Sequence, residues 1–223
     1  MKIITLRLGF ALLIFTAALS AFGDDGAINS ELAASASVAE LQTSWAAAQY
    51  QEDKSQQEHD FESLLLRANN MVSAKSDNPD LYVWRGIIKA SYAGVKGGLG
   101  ALSLVKEAKV DLERAIALGG GTLQAAARTS LGSLYFQVPG WPIGFGSDKK
   151  AETYLLEGLA MAPDDIDSNY FYALYLIDQR QGEKARQYLE RAYTAPRRLG
   201  RAFADQERRR EVLELITEQQ KQK

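Results

Sequence analysis

From residue 37 onward, apolar and polar positions follow each other with the period of an amphipathic helix. Phe61, Leu64, Leu65, Ala68, Met71 and Val72 fall at i, i+3, i+4, i+7, i+10 and i+11, which puts them on one helical stripe. Leu41, Trp45 and Ala48 keep a weaker form of that rhythm behind Ser37 and Glu40, a pair with capping-box spacing. No stretch alternates with period two or concentrates β-branched residues, so the chain reads as all-α. Pro79, Pro163 and Pro196 follow apolar helical stretches, and no Pro interrupts a periodic one. The Gly119-Gly120-Gly121 run ends a helix over residues 110–118 in the same way. Residues 24–36 are small and polar and read as a flexible leader.

A second, longer period lies over the first. Ala108, Leu112 and Ala115 share a spacing with Ala151, Leu155 and Gly158 and with Ala185, Leu189 and Ala192; Phe61, Leu65 and Ala68 form a weaker copy. A small residue lets two helices approach closely, and the Leu four positions on fills the same face one turn later. Leu131, Gly132 and Tyr135, and again Tyr172, Ala173 and Leu176, hold the matching place in a preceding helix, and Ala151 and Ala185 are 34 residues apart.

This spacing resembles the tetratricopeptide repeat, a helix–turn–helix unit with small residues at its helix crossings. Leu131, Gly132, Tyr135, Ala151, Leu155 and Pro163 match its pattern position for position. Ala173, Ala185, Leu189 and Ala192 match again, with Pro196 one place early; Gly86, Ala108, Leu112 and Ala115 give a third match, and Trp45, Phe61, Leu65 and Ala68 a degenerate fourth. The resemblance implies an α-solenoid of about four helix pairs over residues 37–200, with a capping helix and tail over 201–223. Two departures stand out. Ala173 to Ala185 keeps the standard separation of 12, but Gly86 to Ala108 is 22 and Gly132 to Ala151 is 19, so two repeats carry insertions between their helices. Arg128 and Asn169 also stand where the pattern has Trp. The Gly-rich stretch 94–100 reads as the flexible part of the first insertion, since it lacks the residue order of a phosphate-binding loop and no strand precedes it.

Composition narrows the chemistry. The 223-residue chain has no Cys and a single His, which removes disulfides, thiol nucleophiles, thiolate metal centres and multi-His metal sites. No cofactor or metal is expected. Residues 1–23 have the pattern of an export signal: Lys2 and Arg7, an apolar run over 8–19, then Ala21 and Gly23 before a cut at Asp24. The run is too short to span a bilayer, and no Cys follows it to take a lipid, so the mature chain is expected in the periplasm without a stable membrane anchor. Without the signal the net charge is −4, which does not suggest a nucleic-acid binder. His59 lies in a polar patch with no ordered nucleophile and acid around it, and Asp164, Asp165 and Asp167 suit helix capping; the chain reads as non-enzymatic.

Two segments are candidates for binding. The insertion over 138–146 holds two Pro and three Gly around Trp141 and Phe145. It is either a rigid aromatic finger over a groove or a plug whose aromatics close the core, and the residues leave both open. Half of the 18 aromatics beyond the signal lie within 135–175, and Tyr170, Phe171, Tyr172 and Tyr175 cannot all face one side of a helix. In tetratricopeptide arrays the first helix of each pair lines the concave face. Carried over, that makes Thr129, Ser133, Phe136, Gln137, Tyr170 and Asp178 groove residues. Residues 180–210 hold ten basic side chains against four acidic ones, either a docking surface for anions or a solvated end cap. The expected function is recognition of a protein or peptide partner in a concave aromatic groove. The alternative is small-ligand handling, as in the T-components associated with TRAP transporters, which this arrangement resembles more weakly.

Overall fold

The computed structural model describes residues 25–221. The stretch 1–23 expected as an export signal lies outside them. Among the described residues there are nine helices and no strand: α1 (Asp25–Gln49), α2 (Lys54–Ala74), α3 (Pro79–Lys96), α4 (Gly98–Leu118), α5 (Gln124–Gln137), α6 (Asp148–Met161), α7 (Ile166–Asp178), α8 (Gly182–Thr194) and α9 (Ala202–Lys221). They form four pairs, α1/α2 to α7/α8, followed by α9. Each pair packs on the next, and α1, α3, α5, α7 and α9 also touch in succession, while no comparable contact links the even-numbered helices. The odd-numbered helices therefore line the inside of the curve. This is the all-α solenoid that the repeat spacing implies.

Small residues set the helix separation. A Cβ on Gly86 would stand 2.8 Å from Leu112 Cγ and 3.2 Å from the Ala108 carbonyl; one on Gly132 would stand 2.7 Å from Leu155 Cγ and 3.1 Å from the Ala151 carbonyl. Those contacts pin α3 to α4 and α5 to α6 at a distance no larger residue permits. Ala108, Leu112, Ala115, Leu131, Ala151, Leu155, Ala173, Ala185, Leu189 and Ala192 are all sealed from solvent, and Tyr135 nearly so. Pro163 stays exposed in the turn before α7, its carbonyl accepting from Asn169 Nδ2 at 2.7 Å.

Capping follows the sequence. Asp53, Asn78, Ser147 and Asp165 each accept from a backbone N–H in the first turn of α2, α3, α6 and α7. Pro79 opens α3 rather than merely ending what precedes it, because a missing N–H costs nothing at the first helical position. Asp80 then reaches into the next pair, its carboxylate accepting from Thr122 N at 3.0 Å, Thr122 Oγ1 at 2.8 Å and Leu123 N at 3.1 Å. This ties the Gly119–Gly121 turn, and with it the start of α5, to α3.

Two expectations change. Helix α1 runs through residues 25–36, where a flexible leader was expected; Ala27, Ala33, Ala34 and Ala36 are strong helix formers, and the Ser37–Glu40 spacing falls inside the helix. The Gly-rich stretch 94–100 is not a flexible insertion either. Both α3 and α4 lengthen to absorb it, and Gly97 alone separates them, at φ 64° in the left-handed region that ends helices.

These contacts separate two glycines. Gly132→Val should cost about 1–3 kcal/mol through overpacking against Leu155, read as a lowered urea midpoint. Gly94→Ala, at an open site inside α3, should stabilise by about 0.5–1 kcal/mol, read as a raised midpoint.

Candidate binding cavity

The inside of the curve is a cavity of about 1200 Å³. One wall is apolar, from Ile87 and Ala90 on α3, Leu102 and Val105 on α4, Leu123, and Ala126 and Leu134 on α5. Trp45, Trp84, Tyr170 and Phe171 add aromatic surface. At the open end of the solenoid the chain turns back across the first pair. The Arg201 guanidinium carbon lies 5.8 Å from the Trp45 ring centroid and 5.2 Å from that of Trp84. Phe203 meets Tyr50 edge-on at 5.8 Å, and Ala204 enters the core formed by α1, α2 and α3. The solenoid thus closes on itself around the cavity.

A partly buried ion network holds that return. Arg198 donates to Asp205 at 2.6 and 2.8 Å, to Asp167 at 2.7 Å and to Asp165 at 3.2 Å. Its backbone N–H donates to the second Asp205 oxygen at 2.9 Å. Arg208 donates to Asp167 at 2.9 Å and to Glu211, and its guanidinium lies 4.2 Å from the Tyr170 ring centroid. Arg209 donates to the Ala195 carbonyl at 2.8 Å and the Tyr193 carbonyl at 3.2 Å, which satisfies the end of α8. Despite burial, the charges of Arg198 and Arg208 hold the Asp167 carboxyl well below the usual carboxylate range. Burial pushes the Tyr170 hydroxyl up to about 12 and raises that of Tyr50 further. Arg201 differs: burial first, then the charge of Arg198, lowers its guanidinium below the ordinary value.

The groove residues expected from the sequence separate in space. Thr129, Ser133, Gln137 and Tyr170 line the cavity. Thr129 and Ser133 are also packing residues, Thr129 Oγ1 lying 3.2 Å from Ser168 Oγ and Ser133 Oγ accepting from Gln137 Nε2 at 2.6 Å. Phe136 lies off the cavity with its ring edge-on to Tyr175 at 5.9 Å. Asp178 is exposed at the end of α7, accepting from its neighbour Gln179, and does not reach the cavity.

The loop over 138–147 divides its two aromatics. Phe145 tucks back, edge-on to Tyr135 at 5.5 Å with Lys109 Nζ 5.8 Å from its ring centroid. Trp141 stands 90% exposed. Backbone bonds from Gly144 to Gly140 at 3.1 Å, Gly146 to Pro139 at 3.0 Å and Ser147 to Tyr135 at 2.8 Å fix the loop between them. A Cβ at Gly146 would overlap the Val138 carbonyl, so this turn needs its glycine.

Comparisons with known proteins add little to that geometry. No protein-family model matches the chain, and no curated protein matches it. Among solved structures, it is similar to the crystal structure of MamA, with 19% sequence identity and a TM-score of 0.43, over 77% of this chain and 95% of that one.

Sequence reasoning singled out neither Trp84 nor Arg201. The surplus of basic residues over 180–210 was the available signal, but two of them, Arg198 and Arg208, turn inward onto carboxylates. Asp167→Asn should therefore destabilise by about 2–3 kcal/mol at pH 7, the scale of a charge-assisted bond lost from a largely buried site. The folded carboxyl titrates below the unfolded value of about 3.9, so its contribution is complete above that pH and fades as pH falls. Urea midpoints from pH 6 to pH 2 should show wild type and variant converging toward acid.

Proposed function

We propose that this chain is an exported, non-catalytic scaffold that receives a protein or peptide partner on its concave face. One observation carries the reading: a large cavity is ringed by apolar side chains left in solvent. Leu99, Ile143 and Leu199 line the cavity edge yet are 91%, 65% and 102% exposed, and Trp141 projects from the same loop as Ile143. Clustered exposed apolar groups mark interaction sites, and a Trp on a fixed loop is a strong anchor because little ordering entropy is lost on binding. The pattern of residues 1–23 supports export to the periplasm, and the lack of any Cys argues against a lipid anchor. Among the described residues no helix is long and apolar enough to cross a membrane.

The closure of the solenoid favours a second reading. Arg201 over the two indoles, and Phe203 against Tyr50, turn part of the open groove into a chamber suited to a small ligand, as the weaker resemblance to T-components suggests.

Photo-crosslinking distinguishes an occupied rim from an idle one. A crosslinkable amino acid placed at 141, 143 or 199 should capture one shared partner in cells, and the same group at Leu66, exposed on α2, should not. Equal capture from Leu66, or none from the rim, would overturn the proposal. Trp141→Ser should leave the unfolding midpoint unchanged and abolish capture from 143. Phe145→Ala should lose about 3 kcal/mol, as for a packed aromatic removed from its site. Intact-mass measurement of the periplasmic fraction should find a chain beginning at Asp24.

A further inference from the structure

Two residues lining the cavity each hold a buried donor without an acceptor. Trp84 is 3% exposed, and its indole Nε1–H has no partner; the Nε–H of Arg201 is likewise buried and unpaired. Both side chains line the cavity, the guanidinium lying over the indole ring. Indole and guanidinium can only donate, so whatever satisfies them must accept.

The surrounding carboxylates are already committed. Both oxygens of Asp205 accept from Arg198, Asp167 is shared between Arg198 and Arg208, and Asp165 divides between Arg198 and the Ser168 N–H. Trp45 differs from Trp84, since its Nε1–H donates to Ser91 Oγ at 2.9 Å. Among the described residues no carboxylate lies within salt-bridge distance of Arg201, although it sits one turn from Arg198, which has three. Asp167, Asp205 and Asp165 act on Arg201 only from beyond contact distance, and a guanidinium with no bonded carboxylate, beside a second orphaned donor, calls for an anionic acceptor.

The chemistry can be narrowed. A planar pair of oxygens matches the guanidinium fork. Asp165, Asp167 and Glu211 also face the cavity, so a doubly charged phosphate meets more repulsion than a singly charged group. Beyond the two donors the wall is apolar, with Ile87, Ala90 and Val105. We propose that Arg201 and Trp84 form a receiving site for the carboxylate of a ligand with an apolar body, supplied either by a small organic acid or by the free C-terminus of a peptide. This rests on the concave cavity being the binding face.

Calorimetric titration with matched acids and amides tests the site. The probes are hexanoate and hexanamide, and acetyl-Ala-Leu-Leu with a free or an amidated C-terminus. Wild type should bind at least one acid at least tenfold more tightly than its amide. Preference confined to hexanoate assigns the site to small acids, and preference confined to the peptide assigns it to chain termini. Arg201→Met should abolish the preference, Arg201→Lys should keep part of it, and Trp84→Phe should weaken acid binding several-fold. Arg197→Met, at an exposed neighbour, should change nothing. Circular dichroism checks that each variant is folded; if Arg201→Met is not, the wild-type ratio and Trp84→Phe decide. Acid and amide binding within twofold of each other, or a preference that survives in Arg201→Met, would overturn the site while leaving the cavity as a binding face. No binding by any of the four probes would overturn both.

Discussion

Arg198 donates to aspartates of two elements at once, Asp165 and Asp167 at the start of α7 and Asp205 in α9. A stack of helix pairs has no inherent reason to close, because each unit buries its face on the next and the last face is left over. The fork of Arg198 turns the chain after α8 back across that face. Its position decides three others: Leu199 is thrown into solvent, Arg201 reaches the tryptophans of the first two pairs, and Phe203 meets Tyr50. Burying such a network costs desolvation that Coulomb attraction offsets only when nearly every donor and oxygen is used. Around Arg198 and Arg208 that condition is met, and at Arg201 it is not.

The stacking interface was legible in the chain, and the closure was not, for a physical reason. Helix crossings at close range demand a small residue on one side and a branched apolar one on the other. That demand recurs at fixed spacing, and it is met where Gly86 faces Leu112 and Gly132 faces Leu155. A salt-bridge network makes no such demand on spacing. Asp165 and Asp167 stand 33 and 31 residues before Arg198, and nothing local to either distinguishes them from ordinary capping aspartates. Asp165 serves both purposes, with one oxygen on the Ser168 N–H and the other on Arg198. Part of the charge run over 180–210 is therefore not free surface, since Arg198 and Arg208 are neutralised by aspartates at the start of α7.

The first insertion shows how a local signal misleads when the helices on either side can absorb it. Four glycines within residues 94–100 suggest a loop, yet Gly94 sits inside α3 and Gly98 and Gly100 inside α4. A helix tolerates an exposed glycine at a cost of about 1 kcal/mol, and the packing of two long helices outweighs it. Gly97 and Gly98, both at a positive φ that a Cβ would strain, act together as the breaker. In the groove the helix assignment placed Thr129, Ser133, Gln137 and Tyr170 on the cavity. Phe136 and Asp178 lie on the same helices but at angular positions that the pair packing turns away.

The loop after α5 explains why an exposed tryptophan can persist beside the cavity. On a loose tether, Trp141 would collapse onto the nearest apolar surface and recover much of the free energy that its exposure forfeits. It cannot do so here, because Phe145 already fills the place beside Tyr135 and the backbone between them is bonded to itself and to α5. The anchor and the tip thus depend on each other: burying one ring fixes the segment that holds the other in water. The same division occurs at the closing segment, where Arg198 is saturated and Leu199, the next residue, is fully exposed. At both edges of the cavity the fold uses a strong internal contact to hold an unsatisfied group outward. That arrangement lowers the ordering cost of any partner that covers both edges together.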